Sequence, residues 1–161
     1  MNVVIESLPL NLEAFKAMPQ FDLRQPENTC TLFLCALNLF VHDCDAGVEA
    51  INLLKGPKPL SPFDINFLRD RVMDKPYLPL VYFEGATPDN DYQPDMPLTL
   101  RLFEDQRPQD VEAGYLRLYL HTAGADSKRA IQLRQKDDQW FIWDYPGIVM
   151  DVRKPKKESD W

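Results

Sequence analysis

The chain has 161 residues, 45% hydrophobic and 27% charged, with 14 prolines against six glycines and a net charge of −7. That length supports one domain whose core needs no disulfide or metal staple. Without the basic tail from Arg153 onward, 14 basic face 23 acidic side chains, a net −9. A body that acidic repels phosphate backbones and sets general nucleic-acid binding aside.

The first residues, "MNVVIESLPL", lack a basic leader and meet Glu6 and Pro9 before any long apolar run, which does not fit a signal peptide. A short helix follows, capped by Asn11 and stopped by Pro19. The next helix starts near Pro26, with Glu27 against the positive end of its dipole, and runs to about His42. Its segment "TLFLCALNLFV" (31–41) is too short to span a bilayer. It is apolar around nearly its whole circumference, with Asn38 the one strongly polar interruption, so it is either central in the fold or an oligomer seam. A third helix, 46–55, is capped by Asp45 and closed by Gly56 and Pro57. In "SPFD", Ser61 is the N-cap, Pro62 the first helical residue and Asp64 the capping-box acid of a fourth helix, which ends before Lys75 and Pro76.

Cys30, Cys35 and Cys44 are odd in number and form no disulfide framework, which indicates a reduced, cytoplasmic setting. "HDCD" (42–45) offers nitrogen, sulfur and oxygen donors but has no second ligand pair, and a helix end followed by a cap explains it.

Residues 80–100, "LVYFEGATPDNDYQPDMPLTL", join helices to strands. Asp89, Asp91, Gln93 and Asp95 have the one-three-five-seven spacing of a calcium loop. Pro94 stands where such a loop needs glycine, and Leu100 where it needs a closing glutamate, so no metal site is assigned. The segment reads as a crossover anchored by Tyr82, Phe83 and Tyr92, its carboxylates in water. The alternative is a lid over a ligand, with Tyr82, Glu84 and Tyr92 as the lid residues.

From Pro97 the period changes to two. "LTLRLF", "YLRLYLH", "AIQLRQ" and "QWFIWDY" predict four strands joined by hairpin-length connections, an antiparallel meander. Leu116, Leu118 and Leu120 lie on one face, toward the helices. The predicted fold is therefore α+β, about four N-terminal helices on one face of a four-stranded antiparallel sheet, over residues 1–152. A basic, flexible tail occupies 153–161.

On the second face of the sheet the pattern places Arg101, Tyr115, Arg117, Tyr119, His121 and Arg134, with whichever of Trp140 and Trp143 shares it. Aromatic and arginine side chains are enriched at binding hot spots, and they also form ordinary cross-strand pairs. The chain has no nucleophile elbow and no nucleotide-binding glycine pattern, and only His42 and His121 as histidine bases. No catalytic residue and no cofactor are assigned.

The strings "GPKPLSPFDINFLRDR", "YFEGATPDNDY", "GYLRLYLHTAGADSKRAIQLR" and "WFIWDYPGI" resemble an uncharacterised bacterial family, a domain of unknown function, over roughly residues 50–155. More distantly, helices followed by an antiparallel sheet, with Trp140, Ile142 and Asp144 in a "W-x-I-x-D" final strand, are similar to the NTF2-like fold. That likeness implies a cone with a pocket between helices and sheet. Two functions follow as expectations. One is a non-enzymatic cytoplasmic binding module that meets a protein partner or a second copy of itself. The other is a small-ligand-binding or enzymatic domain whose pocket has His121 or Glu84 among its polar groups.

Overall fold

The computed structural model describes residues 1–105 and 107–159. Its helices are α1 (Leu12–Lys16), α2 (Pro26–His42), α3 (Cys44–Lys55), α4 (Pro62–Val72) and α5 (Pro108–Glu112). Its strands are β1 (Asn2–Ile5), β2 (Leu98–Arg101), β3 (Phe103–Glu104), β4 (Tyr115–Leu120), β5 (Arg129–Lys136) and β6 (Gln139–Asp144). The class is α+β, as the pattern predicts.

The helix signals act where they stand in the chain. The Asn11 side chain accepts from Ala14 N–H, and Ser61 and Asp64 form a reciprocal capping box. The cap of α3 is Asp43 rather than Asp45, because its carboxylate accepts from Ala46 N–H; the helix therefore begins at Cys44. Every residue of α2 from Thr29 to Phe40 is buried. Its apolar circumference is thus covered within one chain, which places the helix centrally and removes the seam reading for it.

The four-stranded sheet runs β3-β4-β5-β6 in sequence order, antiparallel throughout. Its first strand corrects the sequence reading. "LTLRLF" is divided at Leu102: β2 pairs with the N-terminal β1 in a separate two-stranded sheet, and only Phe103 and Glu104 pair with β4. Leu102 itself exchanges backbone hydrogen bonds with Met1. The sequence reading has neither β1 nor α5. Helix α5 carries Pro108 at its start and Gly114 just beyond its end.

Leu116, Leu118, Leu120, Ile131, Leu133 and Ile142 form the core face, each 5% exposed or less. α2 and α3 pack against β6, and the 3₁₀ turn Pro146–Val149 packs against β5. On the opposite face, Tyr115, Arg117, Tyr119 and Arg134 are exposed or half-buried.

Residues 153–159, expected as a flexible tail, are hydrogen-bonded back onto the body. Arg153 N–H donates to Gly124 O, Tyr92 Oη donates to Arg153 O, and Lys157 N–H donates to the Asp91 carboxylate. Pro155 is buried. Residues 160 and 161 lie outside the described residues.

Candidate functional site

The opening loop is built from its tyrosines. Tyr82, Phe83 and Tyr92 are buried, at 4%, 2% and 0% exposure, as the anchored-crossover reading predicts. Tyr82 Oη donates to Ile148 O at 2.6 Å, and Tyr92 Oη donates to Arg153 O at 2.5 Å. Tyr92 also stacks on Tyr77, with ring centroids 5.4 Å apart. Burial pushes the Tyr82 phenol up to about 12. Gly124 leaves room for this contact, because a Cβ there would sit 2.4 Å from Tyr92 Oη. Two of the three residues named for a lid therefore hold down the C-terminal segment. Beside them, Arg129 on the core side of β5 donates to Met150 O at 2.7 Å and Asp151 O at 2.6 Å. Lys75 pairs with Asp151 and holds its carboxyl below the usual range.

Glu84, the third lid candidate, is ion-paired with Arg101. Arg101 lies outside the four-stranded sheet, since it pairs with Asn2 at the end of β2, and His121 directly follows the end of β4. The fold nevertheless returns Arg101 to the neighbourhood of His121. Glu84, Arg101, Phe103 and His121 line one cleft of about 260 Å³, where His121 meets Phe103 edge to face at 4.9 Å.

The remaining candidates form a ladder of rings and cations along the outer face. Tyr119 lies between Phe103 and Ala130, with Lys128 Nζ 4.1 Å from its ring centre. Arg117 is opposite Gln132, and Tyr115 is opposite Arg134. The Arg134 guanidinium lies 5.2 Å from the Tyr115 ring and 4.6 Å from that of Trp143. The register shift between Gln132 and Leu133 accommodates one extra residue on β6, Trp143. Trp143, not Trp140, is thus the tryptophan of this face, and its ring contacts Tyr115 at 5.8 Å.

Sequence reasoning misses the residues that extend the face. Lys58 reaches over Trp143 as well, its Nζ 5.2 Å from the ring centre. It comes from the turn after α3, where Gly56 has φ +66° and would place any Cβ 3.0 Å from the Phe141 ring. The string "KGPKP" carries the signal for a helix stop flanked by cations, but not the strand it lands on. A groove of about 270 Å³ there is walled by Lys55, Lys58, Arg134 and Lys136 and floored by Phe141 and Trp143.

Other chemistry is sparse. Cys30 and Cys35 are buried free thiols, and burial pushes both up, that of Cys35 to about 12. Among the described residues, no three His, Cys, Asp or Glu side chains converge as metal ligands. No helix among them is long and apolar enough to cross a membrane.

The architecture is thus that of an α+β domain with an aromatic and cationic outer sheet face. The family model "Domain of unknown function (DUF6935)" matches residues 7–156, and the chain belongs to that family. The match extends the resemblance read from residues 50–155 back over the first helices. No curated protein and no solved structure matches the chain, and the NTF2-like likeness is not confirmed.

Proposed function

We propose that the chain is a non-enzymatic binding module that meets a protein partner through the outer face of its four-stranded sheet, in a reducing, cytoplasmic setting. One observation carries the reading. Tyr115, Tyr119 and Trp143 keep half-exposed rings on the outer face of the sheet, each with a cation over its ring, in a chain of net charge −7. Rings and cations held in this way are pre-organised, so less side-chain entropy is lost on binding. They are also the residue types that dominate interface energetics. Three free cysteines and no disulfide among the described residues support the reducing compartment.

The test is substitution of Arg117 and Tyr119 together by serine. Capture of the partner is lost while the circular dichroism spectrum and urea midpoint stay near those of the wild type. Undiminished capture would remove this face from the reading. Native mass spectrometry reports whether the partner is a second copy.

A second reading, a small-ligand site, draws on the cleft of Glu84, Arg101, Phe103 and His121. It brings one carboxylate, one guanidinium and one imidazole to a mostly apolar concavity of about 260 Å³, just under the usual range for ligand pockets. A small-molecule adduct that survives purification and is lost on His121→Ala would favour it.

A further inference from the structure

The groove beside Trp143 differs from the rest of the face in its charge. Lys55, Lys58, Arg134 and Lys136 converge on it, and none of them forms an ion pair among the described residues. Elsewhere on the surface Arg24, Lys75, Arg101, Lys128 and Arg153 each pair with a carboxylate. Lys55 is only half-exposed, and burial lowers its ammonium from the ordinary value against the pull of Asp64 and Asp144. Asp64 is engaged in the cap of α4, accepting from Ser61 N–H at 2.9 Å.

A second concavity of about 240 Å³ adjoins this groove, sharing Lys55 and Trp143 with it. Phe63, Asp64 and Phe67 line it from α4, with Asp144 and Tyr145 from the end of β6 onward, and Phe63 is 79% exposed on the first turn of that helix. Large apolar side chains so exposed beside further rings mark interaction surfaces. Rings beside a cluster of four cations without ion pairs are complementary to an anionic chain that carries a ring of its own and keeps its carboxylates on the cation side, away from Asp64 and Asp144.

We infer that the groove between the end of α3, the start of α4 and the β5–β6 hairpin seats an acidic segment of a partner protein, with one aromatic side chain as its anchor. The inference rests on the binding-module reading and specifies the partner's chemistry. Carboxylates of the segment pair with Lys55, Lys58, Arg134 and Lys136. The anchor ring packs between Trp143 and Phe63, where Lys58 and Arg134 already lie over the indole. Electrostatic complementarity of this kind chiefly sets specificity and association rate, while the buried ring slows dissociation.

The test uses the full chain and a short synthetic peptide of alternating glutamate and aspartate with one central phenylalanine. Two control peptides replace the phenylalanine by serine, or the acids by lysine. The acidic phenylalanine peptide binds, and added salt weakens it. The serine peptide binds at least tenfold more weakly and the lysine peptide not at all. Lys58→Glu with Arg134→Glu reduces affinity at least tenfold, and so does Phe63→Ser, an exposed position where the fold is not at stake. Trp143→Phe assigns the change in tryptophan fluorescence to the groove. No binding by the acidic phenylalanine peptide, equal binding of the serine peptide, or indifference to these variants would overturn the inference. Failure of the groove and failure of the sheet face are separable. If affinity responds only to Arg117→Ser with Tyr119→Ser, the module reading stands and the groove assignment falls.

Discussion

Arg129 and Arg134 belong to one strand, five residues apart, yet they serve opposite ends. Arg129 faces the core, where its guanidinium donates to two backbone carbonyls of the C-terminal segment. Arg134 faces outward, where its guanidinium lies over two rings and meets no acceptor among the described residues. The tyrosines divide in the same way. Tyr82 and Tyr92 are closed over, with their hydroxyls on Ile148 O and Arg153 O, whereas Tyr115 and Tyr119 keep half-exposed rings beneath cations. The same residue types therefore build a latch on one side of the sheet and an open surface on the other. The deciding factor is whether main-chain carbonyls arrive to use their donors. Donors already satisfied by main-chain carbonyls contribute to stability, while cations resting only on rings remain available to an incoming carboxylate.

The sharpest way to break this comparison is Arg129→Met, which keeps the apolar stem but removes both charged donors. Two backbone carbonyls of the C-terminal segment lose a charged donor, so the variant is less stable by about 3 kcal/mol. Urea denaturation at neutral pH reads the change, and amide exchange across residues 150–157 rises with it. A loss no larger than that of a surface substitution would deny Arg129 its part in the latch.

Tyr82→Phe has the smaller effect, about 1 kcal/mol at neutral pH, because one neutral donor to Ile148 O is lost. Its pH dependence tests the burial directly. The Tyr82 phenol stands at about 12 in the fold against an ordinary value near 10. The neutral form is favoured in the folded state, so its stabilisation is complete below pH 10 and is lost as pH rises through 12. Tyr145, also pushed up to about 12 by burial, falls in the same window. Stability of the wild type therefore declines between pH 10 and 12. In Tyr82→Phe the decline is shallower, by up to about 1.4 kcal/mol per pH unit, the weight of one proton. Identical slopes would mean that the hydroxyl reaches water.

Local signals in the sequence carry most of the helical layer. Asn11, Ser61 with Pro62, and Gly56 act within a few residues of themselves, and the structure uses each of them. Alternation in "YLRLYLH" and "AIQLRQ" likewise sorts residues onto the two faces of the sheet. What escapes is pairing at a distance. β1 finds its partner in β2, 93 to 99 residues away, so "NVVI" gives no sign that "LTLRLF" will divide between two sheets. Tyr82 and Tyr92 read correctly as anchors, but their acceptors lie at Ile148 and Arg153, 66 and 61 residues on. The outer face was legible at four of its positions because they share two neighbouring strands. Lys55, Lys58 and Phe63 were not, since a helix end brings them beside Trp143 only once β6 has packed on α3.

The smallest expected effect sharpens the comparison most. Arg134→Gln removes the guanidinium from over Tyr115 and Trp143 and leaves the strand and its core face untouched. Exposed cation–π contacts are worth roughly 0.5–1 kcal/mol, and the glutamine retains part of the stem's packing over the rings. The expected loss in stability is about 0.5 kcal/mol, several times less than for Arg129→Met on the same strand. Trp143 fluorescence shifts toward that of a more hydrated indole, because one of its two covering cations is gone. A loss as large as that of Arg129→Met would mean that the outer ladder helps hold the sheet together. Its cations would then be structural, and the face would have to be sought elsewhere. A loss near the expected value leaves a sheet whose two sides follow separate constraints: the inner side fixed by the latch, the outer side free to be shaped by what it meets.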